Sequence, residues 1–532
     1  MRPKHGKFGL RIAEWADVSR RVLAALLSST AIVAVSASVA PVAANAAAPA
    51  GPSLHAVVTV RPGASLPSSI PGGRVLARFP YVGAELVSAP AASLRALGAD
   101  PRVAGVSPDR RGHVAGDDQG NDDGASADGV LAAKAVGGDA GKAGTGQGVN
   151  VALLDTGVSD TAALTRDSGR ITDGVDVSAL ASGGDARTSG QFTDGYGHGT
   201  FMASLIAGGQ VKGSGHRAIG VAPAARIVVV KVADSAGNTS LAEVLAGLDW
   251  VAAHARAIQV VNLSLSVDRP TAPAYGADPL TAAVEHVRAA GIVVVAAAGN
   301  VAGQVGDPGL DPQALTVGAA DVTGKTKVTS FSGSGVVAGV SKPDVVAPGL
   351  HVLGVVPAGS TVARQNPQGW TRDGLFKGSG TSEAAAVTSG VAAAYLSTHP
   401  GASPLEVKAA IRTAADPVRD VRAGAGLVSI PKRAAGSGAA GEGGFDAATW
   451  GANAWSGVPN WQSQLDSMWS GAAWTAATWS AATWSAATWS SSNWSAATWS
   501  AATWSAATWS AATWSAATWS AATWSDYGWG DA

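Results

Sequence analysis

Gly378-Ser-Gly-Thr-Ser-Glu-Ala-Ala-Ala386 decides how the rest of the chain is read. A glycine-rich approach ends at Ser382, and an alanine-rich run out to about Ser397 has the composition of a helix. Small residues on both sides let other backbone pass close to the serine. A serine at a helix N-terminus meets free N–H groups and the positive end of the dipole, which favour developing negative charge. That setting prepares a hydroxyl to attack a carbonyl. It is also the setting of a plain N-cap serine, so the partners must decide.

The partners lie upstream, in a region of alternating strand and helix patterns from Gly146 to about Ile430. Val149-Asn-Val-Ala-Leu-Leu154, Arg226-Ile-Val-Val-Val-Lys-Val232, Gln259-Val-Val-Asn262 and Ile292-Val-Val-Val-Ala296 are nearly continuous apolar runs. Such runs suit strands buried on both faces. Helical patterns over residues 241–256 and 279–290 separate them. The alternation predicts an α/β fold, a doubly wound parallel sheet whose sites sit at the carboxyl ends of the strands.

Three more polar residues fall at such places. Asp155 ends the first strand run, before Thr156-Gly157. His198 lies in Gly195-Tyr-Gly-His-Gly-Thr200, just before the helical Phe201-Met-Ala-Ser-Leu-Ile206. Asn300 closes Ala296-Ala-Ala-Gly-Asn300. Each alone reads as a turn or cap residue. Together they supply the nucleophile, general base, base orienter and oxyanion donor that acyl transfer requires.

Val151-Ala-Leu-Leu-Asp-Thr-Gly-Val158, Gly197-His-Gly-Thr200, Ala296-Ala-Ala-Gly-Asn300 and Gly380-Thr-Ser-Glu-Ala384 resemble the signature blocks of the subtilase family. Gly220-Val-Ala-Pro223, Asn262-Leu-Ser-Leu265 and Lys342-Pro-Asp-Val-Val-Ala-Pro-Gly349 match supporting blocks, and the chain order Asp, His, Ser is the subtilisin one. The resemblance implies a serine endopeptidase. Ser382 would be the nucleophile and His198 the base. Asp155 would orient His198, and Asn300 would be an oxyanion donor. It also implies that Gly237, Asn238, Thr239, Ser264, Leu265 and Ser266 pair with substrate backbone as edge strands. Ala297, Ala298 and Gly299 would line the primary specificity pocket. Three positions depart from the family pattern. Glu383 stands where methionine is usual, Ala386 where proline is usual, and Ser266 where glycine is usual. Residues 53–114 read as strand, strand, strand, helix, strand, and resemble the inhibitory propeptide of such proteases.

Composition sets the remaining bounds. A formal net charge of −1 argues against nucleic acid as a partner, and the absence of cysteine excludes disulfides and thiolate sites. Residues 1–46 read as an export signal: a basic stretch ending in Ser19-Arg20-Arg21, an apolar run, then Ala44-Asn45-Ala46. Twin-arginine and general secretory export both fit it. The expected organisation is an export signal (1–46), a propeptide (47–116), an acidic linker (117–131), a peptidase domain (132–433), a small-residue linker (434–468) and a tail (469–532). In the tail thirteen tryptophans recur every fifth residue from Trp469 to Trp529. No charged residue lies between Asp466 and Asp526. Uncharged, aromatic repeats predict self-association or attachment to a cell envelope. The expectation is an exported, secreted or surface-associated zymogen acting on peptides or proteins, with its own propeptide as a further partner. No cofactor is required. Structural calcium is compatible with the family but no acidic loop here locates it. The rival readings are a surface or assembly protein whose repeats are the main function, and a peptide-binding pseudoprotease.

Overall fold

The alternation of apolar runs and helical patterns is realised in a computed structural model, which describes residues 51–114, 129–138, 144–268, 278–337 and 339–431. The export signal, most of the acidic linker and the tail lie outside the described residues.

An eight-stranded sheet forms the centre. Asn150–Asp155 lies in its middle, with Val260–Leu263 on one side and Arg226–Lys231 on the other. Beyond Val260–Leu263 come Val293–Ala297 and Leu315–Asp321, and beyond Arg226–Lys231 comes Ile171–Asp176. These strands are parallel. The sheet departs from the expected all-parallel form at one place, where Lys327–Val328 pairs antiparallel to Leu315–Asp321. The first strand in sequence is thus interior, and the order reverses beside it. This switch point opens a crevice at the carboxyl ends of the strands.

Period-two alternation sends successive side chains to opposite faces. Val151, Leu153, Val293 and Val295 join a core with the helices His198–Ala207 and Thr381–Thr398. Ala152, Leu154, Val294 and Ala296 join a second core with Leu241–Ala253 and Pro279–Ala289. Both faces are covered, which explains why the strands carry no polar alternation. The helix Thr381–Thr398 is buried continuously from Thr381 to Leu396. Its small residues permit this: a Cβ at Gly390 would stand 2.7 Å from Val221 Cβ.

Residues 53–108 form a separate antiparallel sheet of five strands, ordered Ser69–Ile70, Gly73–Phe79, Ala84–Pro90, Ser53–Val60, Val103–Pro108. One face packs on the helix Ala91–Leu97. From the other face Val57, Phe79, Val82 and Leu86 enter the core around Leu241–Ala253 and Pro279–Ala289. Chain periodicity missed the strand that follows. Arg111–Val114 lies antiparallel between Asn238–Ser240 and Leu265–Val267 and makes a three-stranded ribbon.

Candidate active site

Asp155 is the last residue of its strand and His198 the first of its helix, and the two meet in the crevice. His198 Nδ1 lies 2.8 and 2.9 Å from the two Asp155 carboxylate oxygens. Both residues are buried. The backbone N–H of Thr156 also donates to Asp155 Oδ1, at 2.8 Å. A close approach requires glycine beside them, since a Cβ at Gly199 would come within 2.1 Å of the Gly157 carbonyl oxygen.

Asp194, which sequence reasoning did not single out, ties these two loops together. It accepts from the N–H groups of Gly197 and Thr200 and from the hydroxyls of Thr200 and Thr156. The Thr156 hydroxyl in turn accepts from Gly199 N–H at 2.9 Å. Burial, and then the nearby Asp155 charge, push the Asp194 carboxyl above its usual range, against these hydrogen bonds. Its spacing, four residues before His198, was the available signal.

Ser382 stands in the first turn of Thr381–Thr398 and is fully buried. Its hydroxyl donates to the Ser264 carbonyl at 3.3 Å, and the Ser264 hydroxyl donates to the Ser382 carbonyl at 2.9 Å. A relay extends behind them. Ser389 Oγ donates to Asn262 Oδ1, and Asn262 Nδ2 donates to Ser264 Oγ. The helix that carries Ser382 is therefore pinned to strand Val260–Leu263 through buried, paired polar groups.

Asn300 Oδ1 accepts from both the N–H and the hydroxyl of Thr381, each at 2.9 Å. A backbone N–H can only donate, so this contact fixes which amide atom is oxygen. The Asn300 Nδ2 remains as a donor beside the start of the nucleophile helix. Asn300→Ala should lower kcat by roughly 10²–10³-fold with little change in KM, the loss expected for one oxyanion donor. Steady-state kinetics on a short peptide measures it, and a KM-dominated loss would assign Asn300 to substrate binding instead.

Glu383 is buried. A Cβ at Gly378 would stand 2.6 Å from its Oε1, and one at Gly380 would stand 2.7 Å from its Oε2 and 3.3 Å from Asn300 Nδ2. The carboxylate and the amide donor thus flank the same glycine turn. A negative charge there would oppose an oxyanion held on Asn300, in which case Glu383→Gln should raise kcat several-fold with KM held. An equal or lower kcat would show that the carboxylate supports the turn instead.

Gly237, Asn238 and Thr239 border the crevice on one side and Ser264, Leu265 and Ser266 on the other. Arg111–Val114 occupies the space between them. Asn238 lies opposite His113 and Thr239 opposite Gly112, while Leu265 faces Val114 and Ser266 faces His113. Val114 N–H also donates to the Gly237 carbonyl at 3.0 Å. Ala297 closes its strand, Ala298 accepts from Gly306 N–H, and Gly299 N–H donates to the Thr381 hydroxyl. These three residues therefore run beside the nucleophile turn. Among the described residues no three His, Asp or Glu side chains are grouped to hold a metal ion, and no residue set is assigned to calcium.

Residues 146–443 match Peptidase S8, the Subtilase family. The chain is 32% identical over 293 residues to Serine protease AprX of Bacillus subtilis (strain 168), covering 52% of this chain and 63% of that protein. It is 33% identical over 287 residues to Subtilisin Savinase of Lederbergia lenta, covering 54% of this chain and 90% of that one. It is 31% identical over 334 residues to Subtilisin E of Bacillus subtilis (strain 168), covering 62% and 74%. The chain thus spans somewhat under two thirds of the length of AprX. The crystal structure of fervidolysin from Fervidobacterium pennivorans, a keratinolytic enzyme related to subtilisin, superposes with a TM-score of 0.54 at 22% identity, covering 71% of this chain and 60% of that one.

Proposed function

The chain belongs to the subtilase family, and on that premise we propose that it is a serine endopeptidase working through an acyl-enzyme. The pairing of His198 with Asp155, in a crevice whose edge strands already hold an extended peptide, carries this reading. Ser382 Oγ adds to the scissile carbonyl while His198 Nε2 takes its proton. Asp155 keeps the other ring nitrogen protonated and stabilises the imidazolium. Negative charge on the carbonyl oxygen is met by Asn300 Nδ2 and the Ser382 backbone N–H. His198 then protonates the leaving amine, and water repeats the sequence to release the acid. A fluorophosphonate probe tests the reading directly. Covalent labelling mapped to Ser382 supports it, and an unlabelled but folded protein would favour a peptide-binding pseudoprotease.

Residues 51–114 serve, in this reading, as an inhibitory prosegment. Three contacts with the peptidase domain support it. The sheet face of Val57, Phe79, Val82 and Leu86 packs over two helices. Asp249 Oδ1 accepts from the N–H groups of Tyr81 and Val82. Asp109 accepts from Ala242 N–H at the start of Leu241–Ala253, where the helix dipole favours a carboxylate. The cleft strand runs antiparallel to Leu265–Val267, so the chain leaving Val114 heads toward Ser264, the hydrogen-bond partner of Ser382. Self-processing would therefore cut one or two residues beyond Val114. The export segment and the tryptophan tail add the proposal that the enzyme acts outside the cytoplasm, with the tail as its anchor. Truncation after Ala435 should then release active enzyme from particles.

Docking of the prosegment should depend on pH. Burial pushes Asp109 and Asp249 up to about 6 in the docked state. An acid whose pKa is raised on docking penalises the complex as it ionises. The penalty is absent below about pH 4, grows until the docked pKa near 6, and stays constant above it. Through these two acids the cut prosegment should inhibit more tightly at pH 5 than at pH 7.5, against the opposite trend of the Arg110 pair with Asp278 and Asp307, and the share that Asp109→Asn removes measures it. A pH dependence that is unchanged by Asp109→Asn would contradict the assignment.

A further inference from the structure

Arg110 immediately precedes the cleft strand, and its guanidinium is nearly inaccessible, with 3% of the side chain exposed. It enters a recess made wholly by the peptidase domain. One terminal nitrogen donates to Asp278 Oδ1. The other donates to Asp307 Oδ2 at 3.1 Å and to the Asp268 carbonyl at 3.0 Å. Asp278 is fixed by its second oxygen, Oδ2, which caps Pro279–Ala289 through Leu280 N–H and Thr281 N–H. Asp307 is fixed through its backbone, whose carbonyl accepts from Val267 N–H on the cleft edge strand. Two buried carboxylates are therefore held side by side at the edge of the crevice. Burial and the adjacent Asp278 charge push Asp307 well up, and Arg110 pulls it down. The second Asp307 oxygen, Oδ1, is buried and takes no hydrogen bond. When the prosegment leaves, this recess loses its cation and keeps its acids.

We propose that the recess of Asp278, Asp307 and the Asp268 carbonyl is a substrate subsite for an arginine or lysine side chain, at the substrate position aligned with Arg110, four residues ahead of the Val114 position. The proposal rests on the endopeptidase and prosegment readings. The cleft strand shows how backbone pairing would deliver the side chain. Residues Gly112 and His113 pair with both edges, and the Arg110 carbonyl accepts from Leu241 N–H at 2.7 Å. A peptide held in that register presents its residue at the Arg110 position over the acids. Three acceptors spread around the recess match the fork of a guanidinium better than the compact ammonium, so arginine should exceed lysine. The ligand class is an extended protein segment carrying one basic residue well upstream of the cleaved bond.

The test uses enzyme matured from the full chain and quenched fluorescent peptides spanning residues 107–118. Replacing the residue at the Arg110 position by Gln should lower kcat/KM about tenfold or more, by Lys less, and by Glu furthest. Gln at the Arg111 position should cost much less. In the enzyme, Asp307→Asn should cut the Arg-to-Gln preference several-fold, the remainder being carried by Asp278 and the Asp268 carbonyl. Equal kcat/KM for the Arg and Gln peptides overturns the subsite, and so does a preference that Asp307→Asn leaves undiminished. The peptide series on unaltered enzyme decides even if that variant fails to fold. A chain that cuts no peptide fails the endopeptidase reading and takes the subsite with it. A chain that is active with residues 51–114 still attached strikes the prosegment reading. A matured enzyme blind to arginine strikes the subsite alone.

Discussion

Ser382→Ala should abolish peptide hydrolysis, with kcat falling roughly 10⁴-fold or more, and should leave residues 51–114 joined to the peptidase domain. The two effects share one cause. The Ser382 hydroxyl is the only atom that differs, and both the external substrate and the cleft strand would need it. Folding should survive. The lost hydrogen bond to the Ser264 carbonyl is long, at 3.3 Å, and such a bond is worth about 1 kcal/mol. Alanine is the better helix former and matches its neighbours Ala384, Ala385 and Ala386. The Ser264–Ser382 backbone contact at 2.9 Å does not involve the hydroxyl of Ser382 and stays. Intact mass and thermal unfolding of the purified variant measure this. A variant that still matures when purified alone would show that the cut does not depend on Ser382.

The fold class was legible because burial on both faces leaves a plain trace in sequence. Runs such as Val293-Val-Val-Ala-Ala297 are valine-rich and much shorter than the buried helix Thr381–Thr398, which is what marks them as strands. The blocks around Asp155, His198, Asn300 and Ser382 were legible for a different reason. Each combines a polar residue with glycines that steric closeness demands, as at Gly199. What did not show was everything defined by long-range pairing. Arg111-Gly-His-Val114 has no apolar alternation, and it is a strand because two edges at Asn238–Ser240 and Leu265–Val267 lend it hydrogen bonds. Ile171–Asp176 includes Thr, Asp and Gly and is a strand through its neighbour Arg226–Lys231. Asp194 looks like an ordinary polar residue, and the block that holds Asn262 does not show what its side chain meets. Their role comes from partners far along the chain, Thr156 at one end and Ser389 at the other. The acidic recess around Arg110 joins residues almost 200 positions apart, which no local pattern records.

Asp155→Asn should reduce kcat by about 10⁴-fold with KM nearly unchanged, while the fold is kept or slightly stabilised. The argument starts from the hydrogen bonds already made. Asp155 Oδ1 accepts from the N–H of Thr156 at 2.8 Å. In the variant the amide oxygen must stay there, because the N–H has nothing else to donate to. The amide nitrogen then takes the place of Oδ2, 2.9 Å from His198 Nδ1, and the neutral amide oxygen left at Oδ1, 2.8 Å away and already engaged by Thr156 N–H, is a weaker acceptor than the carboxylate it replaces. An NH₂ group facing that ring nitrogen favours its acceptor form, with the proton on Nε2. The imidazole is then held in the tautomer that cannot take a proton from Ser382, and the carboxylate that would stabilise the imidazolium is gone. Substrate pairing along Asn238–Thr239 and Leu265–Ser266 is untouched, so KM should hold. Stability moves the other way, because the Asp155 charge is one of the influences raising the buried Asp194 carboxyl. Removing a like charge from a buried pair relieves repulsion. Kinetics and thermal melts on the same preparation separate the two effects. A loss of kcat below tenfold would remove Asp155 from the catalytic relay. A large fall in melting temperature would show that the carboxylate holds the Thr156–Asp194 loop together as well as the imidazole.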